Sequence, residues 1–102
     1  MEKAMISIAQ DFSRSPAGRF ISDGPNSGER FREKFLVPHL EKSRQITVEL
    51  DGTRGMGSSF LEEAFGGLIR RGYSPEFLKD HIILESRDRS LQTEIQGYWF
   101  KR

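Results

Sequence analysis

The residues with the most chemical potential lie in one short stretch. Asp51, Arg54, Ser58 and Ser59 fall within nine positions, interleaved with Gly52, Gly55 and Gly57. A carboxylate, a guanidinium and two hydroxyls on a glycine-rich segment suit anion binding or phosphate chemistry at a helix start. The stretch is not a P-loop, because Gly-x-x-x-x-Gly-Lys-Ser/Thr is absent. Neither serine sits in a Gly-x-Ser-x-Gly elbow, and Gly24 and Gly28 do not make a dinucleotide fingerprint. No nucleophile and base stand together, so a non-enzymatic protein without a cofactor is expected. His39 and His81 are far apart, with no carboxylates grouped beside them at ligand spacing, and no metal site is expected.

The flanking pattern says how this stretch is held. Ile46, Val48 and Leu50 alternate with Thr47 and Glu49, which predicts a strand ending at Asp51. Ser59-Phe60-Leu61-Glu62 fits an S-x-x-E capping box, so a helix is predicted from Ser59, with Phe60, Leu61, Ala64, Phe65, Leu68 and Ile69 on one face. It should end near Gly72, after Arg70 and Arg71. Gly66 and Gly67 lie mid-helix at a cost of about 1 kcal/mol each relative to alanine, which points to close internal packing.

Upstream, residues 4–8 read as a strand and Arg19-Phe20-Ile21 as the return arm of a hairpin, followed by a loop over 22–28. A helix is predicted over 28–42, capped by Asn26 or Ser27, with the stripe Phe31, Phe35, Leu36 and Leu40. Pro38 predicts a kink or an early end. Downstream, Ser74-Pro75-Glu76 opens a short helix through Leu78, and Ile82-Ile83-Leu84 reads as a buried strand. A last helix from Leu91 should lay Tyr98 and Trp99 on the sheet, with Phe100 a partner or dimer contact if exposed and a basic tail at Lys101 and Arg102. The sum is an α/β fold: a mixed sheet of about four strands with an N-terminal hairpin, helices packed on it, as a single domain over 1–102. Ligands of such sheets meet the carboxyl ends of the parallel strands. The loops 22–28, 51–59 and 85–90 would then share one edge, presenting Asp23, Ser27, Asp51, Arg54, Ser58, Ser59, Arg87 and Asp88. Two helix N-termini, after Ser27 and Ser58, would face that edge.

The bulk properties narrow the classes. Sixteen basic and 15 acidic residues in 102 are spread evenly along the chain, which argues against nucleic-acid binding driven by charge. There is no cysteine, and no apolar run is long enough to span a membrane. Met1-Glu2-Lys3 leads straight into a strand rather than a signal peptide, so a cytoplasmic location is expected.

The segment from Ile46 to Ile69, above all Gly57-Ser-Ser-Phe-Leu-Glu-Glu-Ala-Phe-Gly-Gly-Leu68, resembles the STAS-like domain family of unknown function. Gly18-Arg19-Phe20, Gly24-Pro25 and Ser27-Gly28-Glu29-x-Phe31-Arg32 look like that family's first half. The resemblance implies a STAS-like fold and a distant relation to bacterial anti-sigma-factor antagonists, which bind histidine-kinase-type ATPases in partner switching. It places Ser58 at the serine those relatives have phosphorylated by the partner, and Asp51 at the acid ending the strand. Gly57 stands where they usually carry aspartate. The expected function is therefore a regulatory protein-interaction module for signal transduction, with Ser58 either its phosphorylation site or, like Ser59, simply a cap of the helix. The alternatives are a small anion- or nucleotide-binding domain that uses helix N-termini, and a self-associating subunit, a homodimer.

Overall fold

The computed structural model describes residues 2–100; the basic tail expected at Lys101 and Arg102 lies outside them. Strand β1 (Lys3–Ser7) runs into a π-helical turn at Ile8–Phe12. Helix α1 spans 28–40, β2 is Gln45–Glu49, and helix α2 spans 58–70. Helix α3 (Pro75–His81), strand β3 (Ile82–Glu85) and helix α4 (Arg89–Trp99) complete the chain. The strands form one parallel sheet in the order β1-β2-β3, with Ala4 opposite Ile46 and Ile46 opposite Ile82. Ile6, Ile46, Val48 and Ile82 are buried beneath the helices. Phe12, Phe31, Phe35, Phe60, Phe65 and Trp99 form a chain of ring contacts across the helical layer.

The expected hairpin is not formed, and three strands are found among the described residues rather than four. Arg19-Phe20-Ile21 folds into a tight loop ending in a 3₁₀ turn at Ile21–Asp23. Its backbone donors are taken by carboxylates: Asp23 Oδ2 accepts from Arg19 N at 3.1 Å and Phe20 N at 2.8 Å, and Glu29 Oε1 accepts from Ile21 N at 2.9 Å. Its carbonyls serve α1, because Gly28 N donates to Gly18 O and Glu29 N to Arg19 O. Nothing is left to pair with a strand.

Helices α1 and α2 lie side by side, pointing the same way. Gly28 faces the first turns of α2, where an added Cβ would fall 2.5 Å from Phe60 O. One turn on, Arg32 lies against Gly67, where a Cβ would sit 2.1 Å from Arg32 Nη1. Gly67 is thus the floor of a guanidinium site, as its mid-helix position suggested. Arg32 and Glu63 are 8% and 6% exposed, so their ion pair is nearly dry. Arg32 Nη1 donates to Glu63 Oε2 and to Glu63 O, each at 2.7 Å. That carbonyl is available because α2 widens into a π-turn at Glu62–Gly66. Gly67 N reaches five residues back to Glu62 O instead of four back to Glu63 O.

Helix α1 has a matching π-turn at Arg32–Leu36, with Val37 N bonded to Arg32 O. It does not end at Pro38. The wide turn directly precedes the proline, which sits in the first turn of the resumed α-helix, where a missing N–H costs little. Two further expectations shift. β3 is an edge strand with Ile83 40% exposed, because the sheet is covered on one side only. Trp99 packs on α2 rather than on the sheet, with Nε1 donating to Phe65 O at 3.0 Å and its ring against Phe65. Phe100 is 37% exposed.

The two helical glycines in different surroundings give a direct check. Gly97, in α4, has nothing within 4 Å of an added Cβ. Gly97→Ala is expected to raise stability by about 1 kcal/mol through helix propensity. Gly67→Ala is expected to lower it by about 2–3 kcal/mol, since it displaces a buried, hydrogen-bonded charge. Urea unfolding of both variants measures the difference in sign.

Candidate functional site

The carboxyl edge of the sheet carries the loops that follow β1, β2 and β3. Asp51 follows the buried Leu50 and ties two of them together: Ser86 Oγ donates to its Oδ1 at 2.7 Å and Arg87 N to its Oδ2 at 2.9 Å. The Ser86 hydroxyl, then the Arg87 amide, holds the Asp51 carboxyl below its ordinary value. Arg54 ties the β2–α2 loop to the segment after β1, donating from its backbone to Arg14 O at 2.8 Å and from Nη1 to Ser15 Oγ at 3.0 Å. Asp88 caps α4, accepting from Ser90 N at 3.0 Å and Ser90 Oγ at 2.5 Å. A shallow depression lined by Glu49, Asp51, Gly52, Glu85, Ser86 and Arg87 lies on this edge.

The two serines are arranged differently from the capping box expected of them. Helix α2 begins one residue earlier, with Gly57 at the N-cap and no side-chain cap. Ser58 and Ser59 occupy the first turn, both exposed. Glu62 does not reach back to close a box, because it is held by cations on either side. It pairs with Arg19 Nη1, and Arg70 Nη1 donates to its Oε2 at 2.6 Å. The opening of α2 therefore presents two hydroxyls beside N–H groups that no side chain satisfies.

Asp23 and Ser27 serve the neighbouring loop instead. Asp23 fixes the backbone of 19–20, and Ser27 is fully buried, its Oγ accepting from Arg30 N at 3.1 Å as the cap of α1. The start of α1 is closed by this cap and by the Gly18 and Arg19 carbonyls. Only the start of α2 remains open. The loop at 18–24 leans on α2 through Arg19, which reaches both Glu62 and Glu63. Its tip exposes Phe20 and Ile21, 48% and 46% accessible. Sequence reasoning missed this apolar tip by assigning it to a strand; Asp23-Gly24 just beyond it was the available signal for a tight turn.

His39 lies beside Arg44, which is itself paired with Glu2. Its Nδ1 lies 3.1 Å from Arg44 Nη1, and burial together with Arg44 lowers its pKa. His81 stacks on Phe77 with centroids 3.8 Å apart. Among the described residues no group of three or more potential ligands could hold a metal ion. No described helix is long and apolar enough to cross a membrane.

A family model described as a STAS-like domain of unknown function matches residues 27–90, from the cap of α1 to the start of α4. The chain belongs to the STAS-like domain family. No curated protein and no solved structure matches it. The family match contains β2, α2, α3 and β3, and so includes both Ser58 and the Asp51 clamp of this STAS-like domain.

The acidic members of the α1–α2 network define a pH response. Arg71, then Arg32, holds the Glu33 carboxyl down at about 2, and Arg70, then Arg19, does the same for Glu62. Both values lie below the 4.5 of a free glutamate. Their stabilisation is therefore full above that value and is lost as pH falls toward about 2. The melting temperature is expected to drop across that window, and Glu33→Gln combined with Glu62→Gln should flatten the drop, as followed by circular dichroism.

Proposed function

We propose that this STAS-like domain is a non-enzymatic regulatory module that docks a protein partner on the open start of α2, with Ser58 as the residue whose phosphorylation sets the affinity. The observation that carries this is the exposed Ser58 and Ser59 pair in a first helical turn without a side-chain cap. A phosphate there would meet the free N–H groups and the positive end of α2. Gly57, which stands where the phosphorylated relatives usually carry aspartate, brings no side chain to compete for those groups. The rigid tip at Phe20 and Ile21, anchored beside α2 through Arg19, supplies an apolar contact next to the hydroxyls. By family resemblance the partner is a histidine-kinase-type ATPase acting within bacterial signal transduction.

Incubation with such an ATPase and ATP should place phosphate on Ser58. Ser58→Ala should abolish the label and Ser59→Ala should retain it. Ser58→Glu should weaken binding about tenfold by adding charge at an apolar contact. Replacing Phe20 and Ile21 by serine should lower affinity with an unchanged melting temperature. Absence of label on Ser58, together with equal affinity of Ser58→Glu, would exclude this function.

A further inference from the structure

The sheet has one face beneath the helices and one face bare. Met5 is 68% and Ile83 40% exposed, and register places both beside Thr47, so the three make one row across the sheet. Purely parallel sheets are normally covered on both faces. The rows on either side of this one differ in charge. At the amino end Lys3 lies opposite Gln45, and Lys79 borders the groove between the edge of β3 and α4 that Ile83, Arg89 and Gln92 line; Asp80 is exposed at the same end, its carbonyl accepting from Gln45 Nε2 at 3.3 Å. At the carboxyl end Glu49 lies directly opposite Glu85, both exposed and neither ion-paired among the described residues. Like charges placed directly opposite on adjacent strands repel.

We propose that this bare face docks against the same face of a second copy of the chain, through a two-fold axis lying between the sheets and perpendicular to the strands. That operation lays the acidic end of one copy over the basic end of the other, at both ends of the contact, and brings the two Met5–Thr47–Ile83 rows together. The repulsion between Glu49 and Glu85 is then offset by the partner copy's cations. An axis parallel to the strands would stack acid on acid, so the charge polarity selects the antiparallel arrangement. Side-by-side extension at β3 is disfavoured, because Gln92 Nε2 already donates to Leu84 O at 2.9 Å. Three strands of up to five residues give a patch of about 14 by 16 Å. Such a patch, roughly 220 Å² per copy, is about a third of the area that each partner buries at the low end of specific interfaces. The dimer is accordingly weak and in rapid exchange, and it leaves Ser58, on the helical side, accessible.

Sedimentation velocity between about 1 µM and about 1 mM tests this on the intact chain. The native protein should shift from monomer to dimer over that range, and raising salt from about 0.1 M to about 1 M should weaken the dimer several-fold. Ile83→Lys should give a monomer with an unchanged melting temperature. Two charge variants sharpen the test. Glu49→Lys with Glu85→Lys should be monomeric alone, as should Lys3→Glu with Lys79→Glu. Mixing the two should restore a heterodimer. A native chain that stays monomeric throughout overturns the proposal, as does a dimer that these substitutions leave intact. So does a monomer whose Met5 methyl resonance shifts only when an unrelated protein is added, which would give the face to another partner.

Discussion

A guanidinium taken almost out of water needs several acceptors at once, and Arg32 finds them only if helix α2 is deformed. Its partners are the Glu63 carboxylate, the Glu63 carbonyl and, through Nε, Glu33. The carbonyl requires a widened helical turn, and the space for the guanidinium requires a glycine at 67. Burying a charge without such partners would cost several kcal/mol. The site therefore sets the spacing and direction of α1 against α2, with Gly28 making the second close approach one turn earlier. Everything displayed at the start of α2 inherits that placement, including the two exposed serines. Glu62 and Glu33 extend the same network outward to Arg19, Arg70 and Arg71.

Most residues on the candidate edge with interesting chemistry turn out to hold loops in place. Asp51 clamps the β3–α4 loop, Arg54 pins the β2–α2 loop, Asp88 and Ser27 cap helices, and Asp23 shapes the loop before α1. A carboxylate that accepts two backbone or hydroxyl donors has about half of its lone-pair sites taken and its orientation fixed. Among the described residues of this edge, the candidate side chains not so engaged are Ser58, Ser59 and Arg87, beside the apolar tip at Phe20 and Ile21. Rigid loops carrying a few uncommitted groups are how a small α/β domain presents a binding surface.

The periodic elements were legible in the chain itself. The alternation at Ile46, Val48 and Leu50 and the stripe from Phe60 to Leu68 report burial directly, and both elements lie where that pattern puts them. Family membership was legible too, from the Gly57–Leu68 core. What escaped depended on partners distant in sequence. Ser59 and Glu62 have capping-box spacing, but Arg19 and Arg70 take the glutamate, and no local pattern reveals that competition. Arg19-Phe20-Ile21 has the composition of a strand, yet Asp23 and Glu29 bind its amides first. Ile82-Ile83-Leu84 reads as buried on both sides because apolar content cannot tell an unsheltered sheet face from a sheltered one.

The loss of the hairpin also changes how the chain can assemble itself. Each strand pairing observed joins segments on either side of a helical crossover, Lys3 with Gln45 and Ile46 with Ile82. No pair of neighbouring strands can zip from a tight turn, so loop closure must precede any ladder. The central strand is synthesised between its two partners, and β3 emerges last of the three. The α1–α2 contacts across Gly28 and Gly67, by contrast, involve only residues that precede β3 in the chain. On the ribosome, an unfinished chain would carry β2 with an edge waiting for β3, and the acidic Glu49 at its end is the kind of residue that keeps such an edge from joining the wrong neighbour.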